Sequence, residues 1–226
     1  MRRGTNYEVD TLKAYQSEKK AAAYKRGQST AWSWARVATR LEQRSVAREL
    51  SRYVWSSDDR VLDIPCGAGI LGRVLHAFPF RIVASDVSLE MMSLANGEYP
   101  QDRFAAHVRA DITQTPFAPS SFACVVVLGF LHRVPADVKR ATLGEVAALS
   151  SRLVILTCSV DTWTQRLKHT VLSWLRPRHL PAPHPMSLEA LAAMCEEQGL
   201  RVVRTSMVIP FLSSEAVLVL EKNAGS

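Results

Sequence analysis

The chain has 226 residues, with 28 Lys and Arg against 21 Asp and Glu, a formal net charge of +7, and 47% hydrophobic residues. Those values suit one soluble globular domain with a full core. No apolar run approaches the ~20 residues of a membrane span, and no hydrophobic stretch follows Met1-Arg2-Arg3 to make a signal peptide. Cys66, Cys124, Cys158 and Cys195 form no C-x-x-C pair, which argues against zinc and a disulfide framework and fits a reducing cytoplasm.

In chain order, Glu8 to Lys25 and Thr30 to Val54 read as two helices, broken at Gly27-Gln28-Ser29 with Ser29 or Thr30 as N-cap. From Arg60 onward, strands alternate with helical segments, the pattern of an α/β sheet with parallel strands. Strands are expected at Arg60–Ile64, Arg81–Ser85, Ala106–Ala110, Phe122–Leu128 and Leu153–Cys158. Between them come helices around Ile70–His76, from Ser88 through Ala95, and from Ala136 to Leu149. Ser187 caps a further helix to Gln198, with Gly199 at its end. Val202–Ile209 and Ala216–Glu221 close the chain as two strands, and the short connection between them, with Pro210 and two serines, requires an antiparallel pair.

The most informative stretch is Val61-Leu62-Asp63-Ile64-Pro65-Cys66-Gly67-Ala68-Gly69, a hydrophobic strand ending in an acid and then a glycine bend. Glycines there supply positive φ and let a ligand lie against the backbone. The second strand ends in Asp86, where a carboxylate can hold a ribose diol. Both features point to a nucleoside cofactor. Gly67-Ala68-Gly69-Ile70-Leu71-Gly72 satisfies the dinucleotide pattern G-x-G-x-x-G. However, Asp63-Ile64-Pro65-Cys66 stand before the first glycine, so a pyrophosphate would meet a carboxylate. A cofactor bearing positive charge suits Asp63 better.

With Asp63 and the glycine bend, Asp86, Ala110-Asp111-Ile112 and the run Phe122 to Leu128 in order, the sequence resembles the class I S-adenosylmethionine-dependent methyltransferases. The resemblance covers roughly Arg60 to Cys158. It departs at Pro65, where the family usually has its first glycine, and at Ala123-Cys124, which replace an acid near the start of the fourth strand. It implies a Rossmann-like fold: a mainly parallel seven-stranded sheet with an antiparallel C-terminal hairpin and helices on both faces. It also implies S-adenosyl-L-methionine as cofactor. Asp63, Gly67 and Gly69, with Cys66, are implied beside the methionyl part, Asp63 acting partly through its backbone and ordered water. Asp86, with Val87, is implied at the ribose, Asp111 and the Ile112 backbone at the adenine edge, and Leu128 and Gly129 along the carboxypropyl arm. Tyr24, in Ala21-Ala22-Ala23-Tyr24, is similar to an upstream A-x-x-Y element whose ring closes over the cofactor, although Lys25 replaces the acid that usually follows. A core-packing tyrosine is the alternative.

The turn after the fourth strand, Gly129 to Pro135, lies where open α/β sheets bind ligands. His132 is a candidate general base for an acceptor hydroxyl; a loop hydrogen bond is the alternative. Arg133 is a candidate partner for an acidic acceptor, or a solvated surface arginine. The Asn/Asp-Pro-Pro-aromatic motif of the amino-methylating subset is absent from this turn, which argues against base or glutamine N-methylation. Asp161 follows the fifth strand without a clear second acid, so no metal is expected.

The positive charge is uneven. Residues 1–50 hold 11 Lys and Arg against 5 acids, residues 51–158 hold 10 against 10, and residues 159–186 hold 4 against 1. Trp163, Leu167, Val171, Leu172, Trp174 and Leu175 recur at helical spacing among Arg166, Lys168, Arg176 and Arg178. That segment is expected to be a basic lid over the acceptor, a membrane-interface helix across 163–180, or an ordinary surface helix. The expected organisation is an N-terminal helical cap over 1–55 and a methyltransferase domain over 56–226, with the lid at about 159–186. The reaction expected is O- or C-methylation of a small or lipid- or saccharide-linked anionic acceptor, in the cytoplasm or peripherally at the inner face of a membrane. The rival readings are an RNA-associated methyltransferase and a noncatalytic cofactor-binding partner. A lack of aromatic-rich motifs argues against nucleic acid, and the oligomeric state is not legible.

Overall fold

The computed structural model describes residues 34–160, 184, 186–208 and 215–223. The expected helix Glu8–Lys25, Tyr24, Asp161, the basic segment 163–180 and the loop around Pro210 lie outside the described residues.

Helix α1 (Trp34–Leu50) precedes strand β1 (Arg60–Asp63). A short helix α2 (Gly72–Leu75), strand β2 (Arg81–Asp86), helix α3 (Leu89–Ala95) and strand β3 (Phe104–Arg109) follow. Strand β4 (Phe122–Val127) leads through a 3₁₀ turn (Leu131–Arg133) into helix α4 (Ala136–Leu149) and strand β5 (Ser150–Ser159). Helix α5 (Leu188–Glu197) and strands β6 (Leu200–Met207) and β7 (Glu215–Lys222) complete the series.

The seven strands form one sheet in the order β3-β2-β1-β4-β5-β7-β6. The first five are parallel to their neighbours, whereas β7 runs antiparallel to both β5 and β6. The expected topology and terminal antiparallel pair are therefore present. Strand ends move by one to three residues: β5 begins at Ser150 and β6 at Leu200, whereas β1 and β4 each stop one residue early. Polar side chains do not end the ladder, where Arg201 pairs with Glu221 and Lys222 with Leu200.

Strand alternation divides the core. Leu62, Val125, Val127, Val154, Leu156, Leu218 and Leu220 pack on the face covered by α4 and α5. Val61, Cys124, Val126, Leu153, Ile155, Val217 and Val219 pack on the opposite face, with Val46 and Leu50 of α1, Leu75 of α2 and Met92 of α3. A parallel sheet covered on both faces needs strands that are apolar throughout, and every residue of β4 is buried.

Local chemistry fixes the helix ends. Ser88 caps α3, its hydroxyl accepting from the Met91 N–H at 3.1 Å. Ser187 caps α5 in the same way, accepting from Ala190 at 3.2 Å, and Gly199 at φ 75° turns the chain into β6. Helix α1 is pinned by Glu49, a buried carboxylate paired with Arg204 of β6 at 3.0 Å and Arg52 at 3.2 Å.

Candidate functional site

The site forms at the carboxyl ends of β1, β2 and β4. After β1 the chain bends through Gly67 at φ 53° and Gly69 at φ 71°, conformations that a Cβ would strain. Four amides of this bend are spent within the protein. The Cys66 N–H donates to the Ser85 carbonyl at 2.8 Å, Gly69 to Cys66 at 3.0 Å and Gly72 to Gly69 at 2.9 Å. The Gly67 N–H donates to Asp86 Oδ2 at 2.8 Å. A phosphate cradle needs such amides free and aimed outward, and α2 is a four-residue helix whose first N–H is already bonded.

Asp86 ties β2 to the bend: its Oδ1 accepts from the Ser88 N–H at 2.9 Å while Oδ2 holds Gly67. Burial raises its carboxyl above the usual range, and the amides of Ser88, Gly67 and Val87 oppose that rise. Asp63 is only 1% exposed and lies on the α1 face of the sheet. Its Oδ2 accepts from the Tyr99 hydroxyl at 2.7 Å. Burial pushes its carboxyl up to about 7, with the Asp86 charge adding and the Tyr99 hydrogen bond opposing. The bend from Asp63 to Gly72 contains no Lys or Arg. Two adjacent carboxylates with no cation beside them in the bend make this a place for positive charge.

Tyr99 escapes a reading of the sequence. It lies 36 positions from Asp63, after α3, and stacks on Phe104 at 5.0 Å between ring centroids. Only the folded chain brings it to the bend. Tyr99→Phe is expected to destabilise the protein by about 1.5–3 kcal/mol at pH 8, where Asp63 is ionised and the bond is charge-assisted. The loss should be smaller at pH 5.5, where Asp63 is protonated. Urea unfolding at the two pH values checks this.

The other expected residues gather around the same strand ends. Ile112 is buried, and Asp111 is half-buried, its Oδ1 accepting from the Thr113 N–H and hydroxyl, each at 2.8 Å. This bond holds its own turn. The Cys66 thiol is buried beside Asp63 and Asp86, and burial with those charges raises its pKa strongly. After β4, Leu128 is buried and Gly129 turns at φ 63°, with nothing within 4 Å of the position of a Cβ. The Gly129 N–H donates to Thr157 Oγ1 of β5 at 2.7 Å.

His132 follows in the 3₁₀ turn. Its Nδ1 is buried and, among the described residues, without a hydrogen-bond partner. Burial, with Arg133 and Lys139 nearby, lowers the imidazole to about 4, below the ordinary value on which its candidacy as a base rests. It is neutral at physiological pH. Lys139, also buried, donates to the His184 carbonyl at 2.6 Å, and the His184 N–H donates to the His132 carbonyl at 3.2 Å.

A mainly parallel seven-stranded sheet with an antiparallel end and a glycine bend after its first strand is a Rossmann-like fold. A family model described as a methyltransferase domain matches residues 34–205. The chain belongs to that family and is an S-adenosylmethionine-dependent methyltransferase. Among solved structures it is similar to magnesium protoporphyrin IX methyltransferase from Synechocystis PCC 6803 with bound S-adenosylhomocysteine, at 16% identity and a TM-score of 0.77, covering 96% of this chain and 100% of that one. Human N-acetylserotonin methyltransferase matches at 15% identity and 0.69, covering 98% of this chain and 61% of that one. A chain of the complex between the Haloferax volcanii Trm112 methyltransferase activator and a methyltransferase matches at 16% and 0.66, covering 93% and 97%. At these identities the likeness is one of fold. No curated protein matches the chain.

The donor set fits S-adenosylmethionine, which brings a sulfonium and an ammonium and no phosphate. The carboxylates of Asp63 and Asp86 accept from cationic or hydroxyl donors, and they stand beside the bend where a phosphate would have to lie. Among the described residues no helix is long and apolar enough to cross a membrane.

Proposed function

We propose that this methyltransferase acts on the oxygen or carbon of a small, or lipid- or saccharide-linked, anionic acceptor. The observation that carries the reading is His132: a neutral imidazole with an unpartnered buried nitrogen, three residues beyond the open turn at Gly129. S-adenosylmethionine, when bound, supplies a methyl group already activated on sulfur. The chain's part is to bind, align and exclude water, and orientation of that kind lowers a barrier by roughly 7–11 kcal/mol.

In this reading Asp86, with Val87, accepts from the ribose hydroxyls while Gly67 and Ser88 hold the carboxylate still. Asp63, Cys66, Gly67 and Gly69 border the methionyl end, Asp111 and the Ile112 backbone the adenine, and Leu128 and Gly129 the carboxypropyl arm. Tyr24 closes over the sulfonium, a contact of ~1–2 kcal/mol. His132 Nδ1 takes the acceptor proton as the methyl–oxygen bond forms, when the hydroxyl has become strongly acidic, because burial leaves the imidazole too weak a base to remove that proton beforehand. Residues 1–55 serve as a helical cap and 159–186 as a basic lid that draws in the anionic acceptor, with 163–180 able to rest on an anionic membrane surface.

Two experiments test this. Incubating cell extract with methyl-labelled donor and fractionating it should place label in small molecules or lipid- or saccharide-linked material. Label confined to RNA or protein would contradict the acceptor class. Cofactor binding should also release protons. Asp63 stands at about 7 in the free protein, and an ammonium beside it lowers that value, so at pH 7 about half a proton should leave per site. Calorimetry in buffers of different ionisation enthalpy reads this directly, and Asp63→Asn should abolish that contribution.

A further inference from the structure

The connection between β3 and β4 is built from turn-forming residues and is tied to α4 at two points. Asp111 Oδ1 accepts from the N–H and the hydroxyl of Thr113, each at 2.8 Å, and the Gln114 N–H donates to the Asp111 carbonyl at 3.1 Å. Those bonds close the turn on itself without placing it in the fold. Its placement comes from α4. Glu145 Oε1 accepts from the Thr115 N–H at 2.9 Å and from the Thr115 hydroxyl at 2.6 Å. The Ser120 N–H donates to the Ala148 carbonyl of the same helix at 2.8 Å. Helix α4 is a firm base for both, since Leu143, Val146 and Ala147 are buried in the core with Val125 and Val127 of β4.

Two polar groups of the turn are left over. Ile112 is 4% exposed, yet its N–H enters no hydrogen bond among the described residues, and neither does Asp111 Oδ2. A buried amide rarely stays without a partner, so this one points to a ligand. An N–H donor and a carboxylate acceptor on consecutive residues complement the adenine edge, where N1 accepts and the 6-amino group donates.

We propose that Glu145 is a positioning residue that sets adenine specificity, holding Thr115 so that the Ile112 N–H meets N1 and Asp111 Oδ2 meets the 6-amino group. This rests on the reading that the turn borders the adenine of the bound donor. With Thr115 released, the turn shifts as a unit while the bonds within it survive. The loss therefore falls on recognition of the base and spares the ribose and methionyl contacts, which β1 and β2 supply.

Calorimetry of the full chain with S-adenosylhomocysteine and with S-inosylhomocysteine tests the role. The second ligand has a carbonyl in place of the amino group and a proton on N1, so both contacts become mismatches. Sites built on such hydrogen bonds reject analogues that cannot complete them, and wild type should prefer S-adenosylhomocysteine by about 30-fold or more. Glu145→Ala should cut that preference about 10-fold, whereas Glu145→Gln, which keeps an accepting oxygen, should retain most of it. Thr115→Val loses the hydroxyl bond and keeps the amide one. It should cut the preference about 3-fold, and it carries the test should Glu145→Ala not fold. A residue that only stiffened the fold would weaken both ligands alike and leave their ratio unchanged. An unchanged ratio in either variant, or a ratio in Glu145→Gln as low as in Glu145→Ala, would overturn the proposal. Wild-type protein that binds the two ligands equally would instead remove the adenine reading beneath it.

Discussion

Asp86→Ala should reduce S-adenosylhomocysteine binding by about 100-fold or more if, as proposed, the carboxylate accepts from the ribose while it holds the Gly67 and Ser88 amides. Hydrogen bonds to a charged acceptor contribute about 1.5–3 kcal/mol each, and two ribose hydroxyls are lost together. The same substitution strands the Gly67 and Ser88 amides, now bonded at 2.8 and 2.9 Å. Each buried amide left without a partner costs about 1–3 kcal/mol, so the free protein should also lose about 2–4 kcal/mol of stability, read by denaturant unfolding. Asp86→Asn separates the tasks. It keeps one accepting oxygen for the loop and offers the ribose a donor where an acceptor stood, so binding should suffer more than stability. Calorimetry and unfolding on the two variants distinguish a ribose ligand from a residue that only shapes the bend, for which Asn and Ala would weaken binding in proportion to their loss of stability.

Gly69→Ala should disrupt the bend through its backbone and its packing together. Gly69 sits at φ 71°, and an added Cβ would lie 2.9 Å from Ala95 Cβ and 3.1 Å from both Ala95 Cα and Glu98 Cβ. Left-handed backbone costs a non-glycine residue about 1–2 kcal/mol, and forcing a methyl into a packed contact adds about 1–3 kcal/mol. The total, about 2–5 kcal/mol, would fall on the contact between the bend and the end of α3, so folding and cofactor binding should fail together. Gly97→Ala provides the comparison: its φ is 82° but nothing lies within 4 Å of the new Cβ. Only the backbone strain applies there, and the loss should stay near 1–2 kcal/mol. Equal losses in the two variants would mean that close packing at Gly69 is not what the glycine serves.

The architecture was legible because the signals that carry it are local. The all-apolar β4, the cap residues Ser88 and Ser187, and the short link before the last strand each state a rule that the fold obeys. The backbone of the site was legible for the same reason, since Asp63, Gly67, Gly69, Asp86 and Gly129 all stand at strand ends. What the sequence hid is the set of partners that tune those groups. Tyr99 reaches Asp63, and Thr157 reaches the Gly129 amide, across distances in the chain that no periodicity encodes. One signal was available: Glu42 falls on the same helix face as Val46 and Leu50, and an acid on an apolar stripe marks a buried charge. The basicity of His132 was also beyond reach, because its value depends on burial beside Arg133 and Lys139 and not on its own chemistry.

The central claim is that a bend lined by Asp63 and Asp86, with the amides of Cys66, Gly67, Gly69 and Gly72 bonded within the protein, takes a cationic nucleoside in preference to a phosphate-bearing one. Titration calorimetry of the pure chain with S-adenosylhomocysteine and, separately, with NADH tests it most directly. Saturable one-to-one uptake of S-adenosylhomocysteine with no heat from NADH is the predicted result. Tight binding of NADH with indifference to S-adenosylhomocysteine would contradict it.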